Sequence, residues 1–490
     1  MNRNYTIIGI GRALQVLIAL AAMRLLTRLL SGSEVGNVYL VLSITSYFSL
    51  VFLSPVGLYI TRRLNDWHKE GVLLDYFACY NIYVLAVSLS VFPVLFFVKG
   101  VFGIAADISA LGLCLLAFGY IYAGTWNSTI IPALNMLHHR LSFVVFSTAT
   151  LLLSLVFSVF LVKVYSPSSV MWISGQIIGL LAATAAALLY FRRKVRYSLN
   201  FGLVWGVIKK PRLRGIAKFS SPLLVTTFFM WMQNQSYRLV VEKNIGLDFL
   251  GRMAVGLGIA AAIAAVAESL VQQVYYPVYY TEINTRDGEI RKAAWDKMAG
   301  AIIPLYLLTT LFVSFLAWHL VTVLVDVKFH EVWIFTIFGA WVEFSRITTN
   351  IFSTVAHSEM RTGPLATPYA LGGVLTASGV YFASFSSGHA FWVPAALMLS
   401  GFVTLSFMIT GMRRIMKFTI DFRAIKMALL LALPFPLGLL VKNSEGSFLI
   451  SCAVLLALGA YFIFAQYFLY HKAMPSLWSS NGQSRMPGGA

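Results

Sequence analysis

The chain has 490 residues, of which 59% are hydrophobic and only 11% are charged, and its mean hydropathy is +0.79. Soluble domains have about 45–50% apolar and about 25% charged residues, so this composition excludes a water-soluble fold. In a soluble protein the net charge of +19 would suggest a nucleic-acid partner, but here the basic residues flank apolar stretches and no nucleic acid is expected.

Apolar stretches of about 20 residues or more recur along the chain, which is the length that an α-helix needs to cross the hydrocarbon core of a bilayer. A transmembrane β-barrel would instead show alternating segments of about ten residues. The predicted fold class is therefore all-α, a polytopic membrane protein with about fourteen transmembrane helices. The predicted spans are residues 6–30, 36–61, 77–98, 108–131, 141–162, 168–191, 219–241, 250–274, 298–325, 332–356, 364–385, 390–411, 427–441 and 446–469.

A repeated motif divides these spans into two lobes. Arg24 is followed by Glu34 and Gly36, and Arg238 is followed at the same distance by Asp248, with Gly251 close behind. Six spans separate the two motifs, so the two units would share one orientation in the membrane. The predicted organisation is an N-lobe at 1–191, a basic inter-lobe loop at 192–218, a C-lobe at 219–411, a second basic loop at 412–426, two further spans at 427–470 and a tail at 471–490.

The basic residues are distributed unevenly between the loops. Most of the 37 Lys and Arg residues lie in the termini and in the loops after even-numbered spans, so the positive-inside rule predicts that both termini are cytoplasmic. The loop 192–218 contains basic but no acidic residues, and we expect it to attract anionic inner-leaflet lipid. A second interpretation stays open, in which this loop also gathers an anionic lipid-linked substrate. Its Phe201, Leu203, Val204 and Trp205 suit a segment that lies in the interface.

Polar side chains inside the spans form the candidate site. An ionisable group at the bilayer centre costs about 2.5–3.5 kcal/mol, so it usually faces the bundle interior or a water-filled cavity. Arginine suits an anionic ligand there, since its guanidinium binds phosphate through paired hydrogen bonds and stays charged at any working pH. The expected substrate-binding residues are Arg24, Arg28, Asn234, Arg238, Arg252 and Arg346.

For three of these arginines a purely structural role stays open. Arg28 is close enough to the outer end of its span to snorkel to the surface. Arg238 precedes Glu242 by four residues, a spacing at which two side chains form an ion pair on a helix. Arg346 follows Glu343 by three residues, which predicts that the two neutralise each other.

Two carboxylates are candidates for ion coupling. Glu268 stands alone in an Ala-rich span, and burial of a lone carboxylate favours its protonated form. Glu268 and Glu343 are therefore expected to couple transport to H⁺ or Na⁺, and no other cofactor is expected. Cys79, Cys114 and Cys452 lie in predicted spans without a C-x-x-C or Cys/His spacing, so neither a disulfide nor a metal site is indicated.

Three motifs carry a family resemblance: Arg-Leu-Leu-Thr-Arg-Leu-Leu at 24–30, Glu-Val-Gly at 34–36 and Ser-Pro-Val-Gly at 54–57. Together they resemble the polysaccharide-exporter branch of the MOP flippase superfamily, and within it the Wzx-like O-antigen and capsule-repeat flippases. The resemblance covers the whole chain in span count and lobe layout. It implies a MATE-like fold with two six-helix lobes around a central cavity, followed by two C-terminal helices.

The resemblance also implies a function and partners. The substrate would be an oligosaccharide on undecaprenyl pyrophosphate, moved from the inner to the outer leaflet of a bacterial inner membrane. Arg24 and Arg238 match the family's habit of placing cationic residues in the central cavity. A polysaccharide polymerase and a chain-length regulator would be partners in the same process.

Three other functions fit the sequence less well. A lipid II flippase would be expected to carry an Arg-Asp pair in the first span, whereas Leu25 follows Arg24 here. A cation-coupled MATE-like drug exporter would favour a carboxylate-rich cavity, whereas arginines outnumber carboxylates in these spans. An enzyme acting on lipid-linked sugars would need acids on a sizeable outer loop, and the loops after odd-numbered spans are short, so a transporter rather than an enzyme is predicted.

Overall fold

The computed structural model describes residues 3–195, 210–283, 285, 287–359, 361, 363–441 and 447–473. In this part of the chain all regular secondary structure is helical, which confirms the all-α prediction. The α-helices are α1 (Arg3–Leu29), α2 (Gly32–Tyr47), α3 (Ser54–Lys69), α4 (Leu73–Phe102), α5 (Ala110–Met136), α6 (Arg140–Val164), α7 (Ser169–Lys194), α8 (Lys210–Gln235), α9 (Tyr237–Asn244), α10 (Leu247–Glu282), α11 (Gly288–Phe315), α12 (Ala317–Leu324), α13 (Trp333–Ser358), α14 (Ala366–Ser384), α15 (His389–Arg413), α16 (Phe422–Leu431), α17 (Leu437–Leu440) and α18 (Phe448–Ala473).

The helices follow the predicted spans in order. Each predicted span coincides with one α-helix or with two that succeed each other closely, so the described helices are consistent with fourteen spans. Eight of the described helical segments are long and apolar enough to cross a bilayer. The chain is therefore a multi-pass helical membrane protein. Most of the basic loop 192–218, with its predicted interfacial residues, and the tail beyond residue 473 lie outside the described residues.

The second span contains a π-helical segment, Phe48–Leu53, between α2 and α3. Pro55 has no N–H to continue an α-helical ladder, and Ser54 N–H instead donates to Ser49 O, five residues back. The Tyr83 hydroxyl donates to Phe52 O at 2.8 Å and so pairs a carbonyl of the widened turn. The irregular turn therefore lies immediately before the Ser-Pro-Val-Gly motif at 54–57.

The predicted thirteenth span is broken in the middle. The chain makes turns between α16 and α17, where Pro434 and Pro436 cannot continue a helix. Carbonyls on either side of the break are paired by side chains, because an unpaired carbonyl inside a membrane costs several kcal/mol. The Tyr461 hydroxyl donates to Leu431 O at 2.9 Å, and Nε2 of His319 lies 2.9 Å from Gly438 O.

Two compact units make up the structure. The first contains residues 1–254 and 372–393, and the second contains residues 255–371 and 394–490. The lobe boundaries predicted at 191 and 219 both fall inside the first unit, and they stay a prediction.

The two repeated motifs meet at one place in the first unit. A Cβ on Gly36 would collide with Leu247 O, and a Cβ on Gly251 would collide with Gly32 O. The first turns of α2 and α10 therefore pack backbone against backbone, which only glycine permits. Glu34 of the first motif lies beside this contact in sequence, and its carboxylate accepts the Ser169 N–H at the start of α7 at 2.6 Å.

Candidate functional site

The first candidate site is built where α8 ends and α9 begins. The helix is interrupted at Ser236, whose hydroxyl donates to Met232 O, and Leu239 N–H donates to Ser236 O at 3.1 Å. The predicted ligand Asn234 lies on the last turn of α8, and its amide donates to Met230 O at 2.9 Å. The interruption starts a new helix at Tyr237, which is buried, and places Arg238 beside it.

Side-chain contacts with α2 fix the position of this helix pair. The Ser43 hydroxyl donates to Gln235 O at 2.9 Å, and the Trp231 indole donates to Ser43 O at 3.0 Å. One turn further along α2, the Tyr47 ring packs edge-to-face against Trp231 with centroids 4.9 Å apart. The backbone that carries Arg238 is therefore held against α2 by hydrogen bonds and by aromatic packing.

Arg238 lies between two tyrosines. Its guanidinium carbon is 5.2 Å from the Tyr39 ring centroid and 5.5 Å from the Tyr237 ring centroid. Its Nε donates to the Tyr237 hydroxyl at 3.2 Å, and its Nη1 donates to the Tyr39 backbone carbonyl at 3.2 Å. Aromatic faces attract a guanidinium and desolvate it without neutralising it, so the positive charge at this site is retained.

The predicted alternative of an ion pair between Arg238 and Glu242 is wrong. Glu242 turns to the α4–α5 connection, where its Oε1 accepts the Ala105 N–H at 2.9 Å. Within the described residues, Arg238 has no carboxylate at ion-pair distance. The spacing of four residues permits the pair, but the Glu242 carboxylate instead accepts a backbone N–H from the α4–α5 connection.

Arg24 and Arg28 lie on α1, one helical turn apart and both exposed. Between them the Thr27 hydroxyl lies within hydrogen-bond distance of the carbonyls of Met23 and Arg24, at 3.0 and 3.1 Å. The snorkelling of Arg28 and the binding role of Arg24 both stay predictions. Arg24 and Arg238 belong to the same compact unit.

Arg252 has a local partner that the sequence interpretation overlooked. Its Nε lies 2.8 Å from Asp248 Oδ2, four residues earlier on α10. Asp248 and Arg252 are four residues apart, as Arg238 and Glu242 are, so the sequence spacing already indicates this pair. Because Asp248 compensates its charge, Arg252 suits a substrate anion less well than Arg238 does.

A second polar cluster lies in the second unit and is centred on Arg346. Its Nε is 2.8 Å from Glu343 Oε2 on the same helix, α13, and its Nη2 is 3.1 Å from Glu268 Oε2 on α10. Asn350, one turn further along α13, donates to Glu268 Oε1 at 3.1 Å and accepts from the Tyr369 hydroxyl at 3.4 Å. Arg346 thus forms ion pairs with two carboxylates that lie on two different helices.

This geometry corrects the interpretation of Glu268. The prediction that Glu268 stands alone is wrong, because Arg346 and Asn350 both contact its carboxylate. The predicted pair between Glu343 and Arg346 is confirmed. With both carboxylates ionised, one positive and two negative charges leave the cluster with a net charge of −1. The sequence analysis did not identify Tyr369, because a tyrosine in a mostly apolar helix does not by itself indicate a polar site.

Several solved structures share the fold of this chain over most of its length. One is the lipid II flippase MurJ in an inward closed conformation, with a TM-score of 0.67, 10% identity, and coverage of 98% of this chain and 99% of that chain. A second is an inward-facing multidrug resistance MATE family transporter of the MOP superfamily, with a TM-score of 0.54, 14% identity, and coverage of 82% and 95%. A third, the eukaryotic MATE transporter AtDTX14, has a TM-score of 0.51, 14% identity, and coverage of 88% and 97%.

No family model and no curated protein sequence matches the chain. At 10–14% identity the likeness to these structures establishes the fold and not the substrate. The chain therefore has the all-helical fold that MurJ shares with the MATE transporters of the MOP superfamily.

Proposed function

We propose that this protein is a flippase that moves undecaprenyl-pyrophosphate-linked oligosaccharides from the cytoplasmic to the periplasmic leaflet of a bacterial inner membrane by alternating access. The product would serve the assembly of O-antigen or of another surface polysaccharide. The observation that carries the proposal is the guanidinium of Arg238, which two aromatic rings and a backbone carbonyl hold without a carboxylate partner among the described residues.

A retained cation at the end of a membrane-spanning helix suits an anionic ligand. Guanidinium groups bind phosphate oxygens through two parallel hydrogen bonds, which the terminal nitrogens of Arg238 are suited to form. A pyrophosphate carries two adjacent phosphates, so it also offers a group for a second cation. Arg24 on α1 is our candidate for that second cation, and it lies in the same unit.

The shared fold agrees with this type of transport. MurJ is described as a lipid II flippase, and its structure and this chain cover each other almost completely. A lipid-linked substrate therefore agrees with this fold. We assign the oligosaccharide substrate on the motifs at 24–36 and 54–57, which resemble those of the polysaccharide exporters.

We assign ion coupling to the cluster of Glu268, Glu343 and Arg346. Its net charge of −1, from two carboxylates and one guanidinium, is removed by one proton or one Na⁺. Taking up or releasing that ion would change which helix Arg346 is bound to most strongly, because its two partners lie on α10 and α13.

Lipid II itself is the alternative substrate that a specific observation favours, namely the fold coverage shared with MurJ. A cationic drug fits less well, because Arg346 lies against both candidate carboxylates and would repel a cationic ligand. Drug-resistance profiles of an overexpressing strain test the drug-export alternative. Rescue of a strain depleted of its own lipid II flippase tests the lipid II alternative.

The proposed function is tested in a deletion strain that carries plasmid copies of the gene. We expect the R238A and R24A variants to insert normally and to leave lipid-linked repeat units in the inner leaflet, so that long-chain surface polysaccharide is lost. The matched control is R63A, because Arg63 is exposed and only loosely paired with Asp66 at 3.6 Å. Normal surface polysaccharide in both R238A and R24A would refute the assignment of the site.

A further inference from the structure

We infer that Tyr237 is a positioning residue of the pyrophosphate site: its hydroxyl accepts the Nε–H of Arg238 and so turns the terminal nitrogens of the guanidinium towards the ligand. This inference rests on the proposed function, since it assigns Arg238 to an anionic ligand. Nothing in the sequence motifs points to Tyr237, which stands immediately before Arg238 at the start of α9.

The hydrogen bonds of Arg238 define which donors stay free. A guanidinium has five N–H donors, one on Nε and two on each terminal nitrogen. Nε is taken by the Tyr237 hydroxyl, and one donor of Nη1 is taken by the Tyr39 carbonyl. Within the described residues nothing else accepts from Arg238, so Nη2 and the second donor of Nη1 form the free edge.

The donors left on the two terminal nitrogens suit a phosphate group. Two N–H groups on neighbouring terminal nitrogens are parallel and match two oxygens of one phosphate. Without an acceptor at Nε, only the Tyr39 carbonyl and the two rings would orient the guanidinium, and ordering it further on binding would cost affinity. The hydroxyl of Tyr237 supplies that ordering before the ligand arrives.

Tyr237 is itself held firmly enough for this task. Its side chain is only 4% exposed, and it opens a helix whose neighbour α8 is bonded to α2 through Ser43. A buried tyrosine with a fixed ring presents its hydroxyl in one place. The acceptor for Nε therefore lies on a buried side chain, next to a helix end that is hydrogen-bonded to α2.

Tyr39 provides a matched control because it acts differently on the same guanidinium. Tyr39 contributes its ring and its backbone carbonyl to Arg238, and its hydroxyl is not the acceptor. Replacement by phenylalanine keeps both contributions. Replacement of Tyr237 by phenylalanine keeps the ring and removes only the acceptor for Nε. The two variants delete the same atom type from neighbouring rings and differ only in the hydrogen bond.

The test measures binding of undecaprenyl pyrophosphate to the purified full chain by native mass spectrometry, with undecaprenyl monophosphate as the comparison probe. The variants are Y237F, Y39F, R238A and the double variant Y237F/R238A. We expect Y237F to weaken pyrophosphate binding at least about tenfold, as loss of one hydrogen bond to a charged group does. We expect Y39F to weaken it clearly less, because the variant keeps the ring and the carbonyl that contact Arg238. In the R238A background, Y237F should cause no further loss, because Tyr237 acts through Arg238.

The possible results separate the inference from the proposed function. If R238A binds undecaprenyl pyrophosphate as the unaltered protein does, the proposed function fails at its central residue. If R238A loses affinity but Y237F does not, or Y237F weakens R238A further, the positioning role of Tyr237 is refuted. Equal losses in Y237F and Y39F would also refute it, since they would reflect altered packing of the rings.

Discussion

Removing the guanidinium of Arg346 should destabilise the second unit, because Glu268 and Glu343 would face each other without a cation. Breaking a fully buried ion pair by deleting one partner costs about 3–5 kcal/mol. Here the side chains of Arg346, Glu268 and Glu343 keep 31%, 19% and 15% of their exposure, so solvent screens part of the charge. We expect R346A to lose about 2–3 kcal/mol of unfolding free energy.

The assay is the apparent melting temperature of the purified protein in detergent, followed by tryptophan fluorescence. The control is R63A, whose ion pair with Asp66 is more than half exposed and should contribute about 0–1 kcal/mol. A deficit equal to that of R63A would show that Arg346 does not stabilise the two carboxylates.

Two further predictions concern packing. The G36A variant should fold poorly and yield little monodisperse protein on size exclusion, because its Cβ would collide with Leu247 O. The control G124A should behave normally, since nothing lies within 4 Å of the Cβ that it adds. Equal yields of the two variants would contradict the close contact of α2 and α10. The Y461F variant should lower the melting temperature, because Leu431 O in the broken thirteenth span would lose a hydrogen bond contributing about 1 kcal/mol. An unchanged melting temperature in Y461F would show that another group pairs with this carbonyl.

The transmembrane segments were predictable from the sequence because their signal is local. A run of about 20 apolar residues has few other uses, so the order of the spans followed from their length alone. The predicted ends of the spans differ most from the observed helix ends where a helix extends beyond the hydrophobic run. The helix α10 continues to Glu282 and α8 begins at Lys210, since polar residues outside the hydrocarbon core can still be helical.

Charge pairs were predictable only within one helix. Glu343 and Arg346 are three residues apart and pair as expected, because helical geometry brings such side chains together. Glu268 reaches Arg346 across two helices, which depends on how α10 packs against α13, and no spacing rule encodes that packing. The same limit applies to Tyr39, whose carbonyl meets Arg238 from a helix far away in sequence.

The most informative failure concerns Glu242. Its spacing from Arg238 favours an ion pair, yet its carboxylate accepts a hydrogen bond from the Ala105 N–H instead. Ala105 has a left-handed backbone with φ of 50°, so its N–H belongs to a tight turn with no helical partner for that group. Because Glu242 satisfies this buried backbone donor, it does not pair with Arg238, and within the described residues the guanidinium charge has no carboxylate partner.

In the proposed transport mechanism, the charge of Arg238 binds the pyrophosphate of a lipid-linked substrate. The most direct test reconstitutes the purified protein into liposomes with an undecaprenyl-pyrophosphate-linked repeat unit and measures its transfer between leaflets. We predict that R238A loses most of this transfer and that R63A keeps it. Transfer by R238A at the rate of the unaltered protein would contradict the account.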